Sequence, residues 1–140
     1  MSCILRAGGD DFDVDGFMAN TSIEVDSLWR KGEKRFPKSG NSKINQSSGV
    51  RVVASEADFS QLAKQIEDAT SFLRQNLEQV KFLVSFPGVE GAVLDFGAEL
   101  FPPGWASFTF PPELLVLAGE AGVSVCLSVY PTENEESTDA

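Results

Sequence analysis

Residues 110–131 read FPPELLVLAGEAGVSVCLSVYP, and this stretch decides the fold class. Two prolines followed by a glutamate open an apolar run, which predicts a helix because proline suits the first turn and the helix dipole favours an acid there. Gly122 is the predicted cap at the end of that helix. The residues after it alternate between apolar and small side chains, which predicts a strand with one buried face that ends at Pro131.

A longer helical pattern lies upstream of this stretch. Over residues 59–84 apolar side chains recur at steps of three or four, and a Pro-Gly pair follows. Ser55 precedes Asp58 by three residues, which predicts a variant of the capping box at the start of the helix. The pattern predicts one long helix, or two stacked helices with a break near Asn76.

The remaining segments complete the predicted order of elements. A short helix over residues 13–20 begins at an aspartate that can cap it, and residues 31–48 form a long loop or an irregular hairpin connection. Strand-like composition is found in residues 2–6, 22–30, 50–54, 91–97 and 106–110. This order predicts a two-layer α+β domain over residues 1–131, with a mainly antiparallel sheet of about five or six strands and helices packed on one face.

The second face of that sheet has a mixed composition. Its predicted members are Arg51, Val53, Val93, Asp95, Ser124 and Ser128. Such a face is either solvated or partly covered by a partner chain, and a homodimer through it is one alternative for the assembly.

Composition and charge exclude several function classes. The chain of 140 residues has 21 acidic and 11 basic residues, and its net charge of -10 argues against a nucleic-acid binder. It has no histidine, which excludes catalytic triads and zinc sites that depend on histidine. No constellation of base and nucleophile and no nucleotide-binding glycine motif is visible, so we expect no enzyme activity and no cofactor.

The composition of individual segments predicts where in the cell the protein is located. No stretch approaches the roughly 20 apolar residues that span a bilayer, and from the composition of residues 1–11 we expect no secretory leader. Two cysteines, Cys3 and Cys126, are too few for a disulfide scaffold. We expect both side chains to be buried and to act as small hydrophobic residues, and we expect a disulfide between them only if their strands are neighbours. We therefore expect a cytoplasmic protein without membrane contact and a disordered acidic tail at residues 132–140.

Two stretches carry a resemblance to a known family. SLWRKGE at residues 27–33 follows an acidic helix start, and the stretch at residues 110–131 closes the predicted domain. With this arrangement, most of the chain resembles small bacterial proteins grouped as domain of unknown function 4279. The resemblance implies a compact α+β domain and no established catalysis. It also implies an immunity-like role, because members are discussed beside toxin–immunity gene sets.

The first candidate site is a basic segment with aromatic side chains. Six of the eleven basic residues lie between Arg30 and Lys43. The candidate partner-binding residues of this segment are Trp29, Arg30, Lys31, Lys34, Arg35 and Phe36. Two interpretations stay open: a docking loop for an acidic partner or a phosphate, or a solvated loop with Trp29 in the core.

Trp105 is a further candidate for partner binding. It closes the sequence FPPGW at residues 101–105, which predicts a rigid turn with two aromatic side chains. If exposed, this turn would anchor a protein partner, and if buried, it would fill the core.

The third candidate site is acidic. Asp11, Asp13 and Asp15, followed by Gly16, match the first half of an EF-hand loop, in which alternate carboxylates bind Ca²⁺. The closing glutamate is missing, because Ser22 occupies its position. A weak metal site and a plain acidic helix start are both compatible with this pattern.

The leading hypothesis is a non-enzymatic bacterial protein-interaction domain. Its most concrete version is an immunity-like role, in which the acidic surface would occlude a basic active site of another protein. The alternative is a regulatory module that binds a small ligand or Ca²⁺.

Overall fold

Strands and helices alternate along the chain much as the sequence predicts. A computed structural model describes residues 2–132, so the predicted acidic tail, apart from Thr132, lies outside the described residues. The elements are β1 (Cys3–Gly9), α1 (Val14–Met18), β2 (Ser27–Trp29), β3 (Ser48–Ser55), α2 (Leu62–Gln75), α3 (Leu77–Ser85), β4 (Gly91–Leu100), α4 (Pro112–Ala121) and β5 (Ser124–Pro131).

The strands form a five-stranded sheet in the order β2-β3-β1-β4-β5. β1 pairs antiparallel with both β3 and β4, and β2 pairs antiparallel with β3. β4 and β5 are parallel, and α4 lies in the crossover that a parallel pair requires. The predicted α+β fold with a mainly antiparallel sheet is confirmed.

One face of the sheet carries the hydrophobic core. Leu5 of β1 pairs with Val52 of β3 and with Leu94 of β4, and all three side chains are at most 2% exposed. The helices cover this face with Phe17, Leu73, Val80, Leu83, Leu114 and Ala118. Burial of each large apolar side chain contributes about 1.5–3 kcal/mol, so this layer supplies the main driving force for folding.

Several helix ends lie where the sequence places them. The long helical pattern is two helices with a break at Asn76. Asp13 caps α1, because its Oδ1 accepts a hydrogen bond from the backbone N–H of Gly16 at 3.1 Å. Gly122 ends α4 with a φ of 82°, a left-handed conformation that favours glycine.

The capping-box prediction for the long helix is wrong. α2 begins at Leu62, and the Oδ1 of Asp58 accepts from the backbone N–H of Ser60 at 3.0 Å in a turn before the helix. The Oγ of Ser55 donates to the Oδ2 of Asp68 at 2.7 Å. Ser55 therefore ties the end of β3 to the middle of α2, a tertiary contact that the local spacing does not reveal.

The predicted strand at residues 106–110 is also wrong, since this segment belongs to no strand. Proline pairs flank it on both sides, and proline cannot donate to a strand ladder. The ring of Phe110 packs against Phe96 of β4, with centroids 5.3 Å apart. The alternating pattern therefore reflects the anchoring of the crossover onto the core.

The described part of the chain contains no helix with the length and apolarity that crossing a bilayer takes. The extended segment predicted at residues 22–30 contributes only the short strand β2 to the sheet.

One buried polar side chain joins α2 to β4. Gln65 is fully buried, and its Nε2 donates to the carbonyl oxygens of Asp58 and Gly97, each at 2.8 Å. Its Oε1 accepts from the backbone N–H of Gly97 at 3.1 Å. Because buried backbone groups must be paired, this side chain fixes the position of α2 on the sheet.

Replacing Gln65 by leucine should lower the free energy of unfolding by about 2–6 kcal/mol, because the N–H and the carbonyl group of buried Gly97 lose their partner and each buried unpaired group costs about 1–3 kcal/mol. Urea denaturation measures the loss. Gln75→Leu, at an exposed position of the same helix, is the matched control and should change this free energy by less than about 0.5 kcal/mol. Equal losses in the two variants would contradict the role assigned to Gln65.

Candidate functional site

The candidate site lies on the face of the sheet opposite the core. Strand register places one row of residues across this face, running from Ser27 through Arg51, Arg6 and Val93 to Ser124. Arg6 and Arg51 are therefore directly opposite each other on neighbouring strands. Like charges in such a pair lower the stability of a sheet. The two arginines therefore reduce the stability of the folded chain, and an anion bound between them would offset their repulsion.

Within residues 2–132, only one arginine of the pair has an acidic partner. The Nη2 of Arg6 donates to the Oδ2 of Asp95 at 2.7 Å, and the Oγ of Ser128 donates to the Oδ1 of the same carboxylate at 2.7 Å. Among the described residues, no acidic group lies within 4.0 Å of the Arg51 guanidinium. No described acidic side chain therefore neutralises the charge of Arg51.

A hairpin after β2 stands beside this row. The backbone N–H of Gly32 donates to the carbonyl oxygen of Asn45 at 3.0 Å, and the backbone N–H of Asn45 donates to the carbonyl oxygen of Glu33 at 2.8 Å. The N–H of Arg35 donates to the carbonyl oxygen of Lys43, also at 2.8 Å. Of the two interpretations of residues 31–48, the irregular hairpin is the one that the structure shows.

A hollow of about 940 Å³ lies between the hairpin and the sheet face, and we call it the basic hollow. Its charged lining consists of Arg6, Arg35, Lys43 and Arg51, and its apolar lining of Trp29, Phe36 and Ile44. Within residues 2–132, no acidic side chain lines it. The arrangement combines positive charge with aromatic surface, which suits an acidic ligand that also carries apolar groups.

Trp29 forms the floor of the basic hollow next to β3. It pairs with Gly49, and a Cβ at that position would lie 2.2 Å from the indole ring. Glycine is required there because the ring lies directly on the backbone of β3. Trp29 is half-buried, so it neither belongs to the main core nor stands free in solvent.

A smaller hollow of about 180 Å³ lies at the other end of the same face. The rings of Phe59 and Tyr130 stack beside it, with centroids 4.5 Å apart. Arg6 and Arg51 line both hollows, so the arginine pair lies where the two hollows meet.

The structure brings together only part of the predicted partner-binding set. Trp29, Arg35 and Phe36 line the basic hollow, and Phe36 is 62% exposed. Lys31 and Lys34 are exposed on the hairpin outside this lining.

Arg30 and Trp105 lie apart from the basic hollow. The guanidinium of Arg30 donates to both oxygens of Asp15, at 2.7 and 3.0 Å. Trp105 is 80% exposed in the predicted turn, in which the N–H of Gly104 donates to the carbonyl oxygen of Phe101 at 2.8 Å. Of the two interpretations of this turn, the structure shows the exposed one.

The sequence pattern placed Lys43 at the end of the basic segment and Arg51 on the second face of the sheet, but it did not predict Arg6 or Arg51 as a binding residue. A signal for Arg6 and Arg51 is present in the sequence, because each is the single charged residue of an otherwise uncharged strand. Strand pairing is needed to show that they meet, since a sequence of alternating residues does not define the register.

The acidic candidate site is occupied by contacts within the chain. Asp13 caps α1, and Asp15 forms the ion pair with Arg30, whose hydrogen bonds hold the pKa of the Asp15 carboxyl below its ordinary value. Asp11 is exposed. In the described residues, no group of three potential ligand side chains is gathered for a metal ion. Calcium binding by Asp11, Asp13 and Asp15 stays a prediction.

The two cysteines face opposite sides of the sheet. Cys3 is fully buried in β1, and Cys126 is exposed on β5 with β4 between them, so both are free thiols. The prediction that both are buried is therefore wrong for Cys126, because its side chain points to the uncovered face. Burial raises the pKa of the Cys3 thiol far above its ordinary value and keeps it protonated.

Thiol labelling at pH 8 should therefore modify one cysteine in the native protein and both cysteines after unfolding. The reason is that the thiolate is the reactive species and only Cys126 is accessible to the reagent. Titration with a chromogenic disulfide reagent counts the reactive thiols. Cys126→Ser should abolish the native reaction, and rapid labelling of that variant without denaturant would contradict the burial of Cys3.

Gly49→Ala should displace the Trp29 ring, because the new Cβ would overlap it. In a Trp105→Phe background, where Trp29 is the only tryptophan, we expect its fluorescence emission to shift to longer wavelength. Gly91→Ala is the control, since a Cβ there meets no atom within 4 Å. Unchanged emission in Gly49→Ala would show that Trp29 does not lie on β3.

Similarity to known proteins adds no site residues. No protein-family model, curated protein or solved structure matches this chain.

Proposed function

We propose that this chain is a non-enzymatic protein-interaction domain that binds an acidic segment of a partner protein in the basic hollow. The observation that carries the proposal is the charge of the lining. Among residues 2–132, four basic and no acidic side chains line the hollow, in a chain with 21 acids and 11 bases. Because the chain as a whole is acidic, a patch with average composition would carry negative charge. The local excess of positive charge therefore favours a binding surface for an acidic partner.

The chemistry of the lining supports a peptide-like partner. Arginine side chains bind carboxylates through two parallel hydrogen bonds, and Arg51 is free of acidic contacts among the described residues. Phe36 and Ile44 are 62% and 55% exposed at the rim, and the Arg35 guanidinium lies 5.7 Å from the centroid of the Phe36 ring. Exposed aromatic and arginine side chains of this kind contribute most of the binding energy in many interfaces.

The immunity-like role is a more specific form of this proposal. It is supported by the resemblance to the bacterial family of domain of unknown function 4279 and by the acidic character of the chain outside the hairpin. In this form, the partner would be a toxin encoded beside the gene for this chain. The acidic body would steer the approach of a basic partner domain, while the basic hollow would bind an acidic segment of the same partner.

The proposal predicts that a glutamate-rich synthetic peptide with one aromatic residue binds the full chain, and that a lysine-rich peptide of equal length does not. Fluorescence anisotropy of labelled peptide measures the dissociation constant. Arg35→Gln combined with Arg51→Gln should weaken binding roughly tenfold or more, equivalent to about 1.4 kcal/mol. Added salt should also weaken it, because the contacts are between opposite charges.

The control carries the same charge change outside the basic hollow. Lys31→Gln combined with Lys38→Gln removes two exposed positive charges from the hairpin and leaves the lining intact. This variant should bind the acidic peptide within a factor of about two of the wild type, since distant exposed charges are screened at moderate salt. Equal weakening in both double variants would show a general charge effect and would overturn the assignment of the site.

A further inference from the structure

The two edges of the sheet differ in length and in protection. β2 at one edge has three residues, and the charged residues Arg30 and Lys31 follow it directly. β5 at the other edge has eight residues, and no side chain from Ser124 to Tyr130 is charged. Short strands and charged side chains are the usual means of blocking unwanted strand pairing at an edge. β2 has both protections, and β5 has neither.

β5 presents an open row of backbone groups together with apolar side chains. It pairs only with β4 in the described part of the chain, so the N–H and C=O groups on its outer edge have no strand partner there. Val129 and Tyr130 are 40% and 46% exposed. An exposed, uncharged strand of this length is a template for a further strand.

The helix above β5 extends the apolar patch. α4 packs on β5 and on α2 and α3, and ion pairs of Glu113 with Arg74 and of Glu120 with Lys81 mark its flank toward those two helices. With 3.6 residues per turn, Leu115 lies on the opposite flank, on the side of the β5 edge. Leu115 is 49% exposed, so the apolar patch continues from the strand edge to the helix.

We propose that two copies of this chain associate through β5, with the two β5 strands antiparallel about a two-fold axis. Such an interface is isologous, which closes the assembly at two copies and joins the two sheets into one. An uncharged strand is complementary to itself, because pairing it with its own copy places no like charges opposite each other. The Leu115 side chains flank the strand pair on the helix side and shield its hydrogen bonds from water.

The size of the patch indicates a reversible association. A strand of eight residues is about 26 Å long, and the strand edge with the adjoining helix flank is about 15 Å high. Specific interfaces bury about 800 Å² on each partner, and the projected area of this patch, about 390 Å², is about half that value. The dimer is therefore expected to dissociate on dilution.

Salt has opposite effects on this association and on the proposed binding of an acidic partner. Each copy has a net charge of -10, so long-range repulsion opposes dimer formation, and added salt screens that repulsion. The interface itself carries no charge to be weakened. Dimer formation should strengthen with salt, whereas binding in the basic hollow should weaken.

Light scattering after size-exclusion chromatography of the full chain, over a series of loading concentrations at low and high salt, tests the proposal. The mass should rise with concentration from 15.1 kDa toward twice that value, and it should rise further at high salt. Leu115→Lys and Val129→Lys should each raise the dimer dissociation constant tenfold or more. Circular dichroism verifies that both variants are folded.

Val116→Lys is the matched control. Val116 is 65% exposed on the same helix, but it faces away from the sheet and from the β5 edge, so its replacement should leave the dimer unchanged. Three outcomes would overturn the proposal: a monomer at every concentration and salt, equal weakening by Val116→Lys and Leu115→Lys, or masses beyond two copies. Loss of the dimer in Arg51→Gln would instead place the interface on the uncovered face and would also overturn it.

Discussion

The antiparallel register of β1 with β3 determines both faces of the sheet. It pairs Leu5 with Val52 in the core and Arg6 with Arg51 on the opposite face. Side chains alternate along a strand, so a slip of one residue would turn the arginines into the core and expose the apolar set. A buried arginine without a partner is costly by several kcal/mol, and this cost makes the observed register the stable one.

The same register creates the surface on which the proposed function depends. Two opposed arginines repel each other, and Asp95 compensates only Arg6. The repulsion that remains lowers the stability of the folded chain, and an anionic group bound between the arginines would relieve it. The core on the other face, with Gln65 holding α2 against β4, supplies the stability that lets this face retain unpaired charge.

Local patterns predicted most of the elements but not all of their roles. Apolar alternation located β5, and the 3.6-residue period located the helical region of α2 and α3, with a break near Asn76 as one of two alternatives. The same kind of alternation failed at residues 106–110, where Phe110 packs on Phe96 across the crossover. The spacing of Ser55 and Asp58 failed as a cap because Ser55 bonds to Asp68 of α2. In both cases the residues that produced the local sequence pattern make contacts with distant parts of the chain instead.

The sequence by itself determined the α+β class, the acidic charge, the absence of histidine chemistry and the basic aromatic segment that supplies Trp29, Arg35 and Phe36. Only the tertiary structure decided which of the basic residues converge. Arg6 and Arg51 lie far apart in the chain and meet through strand pairing, while Arg30 is turned away to Asp15. The physical reason is that composition and spacing act within a segment, whereas a binding surface is assembled by long-range hydrogen bonds between segments.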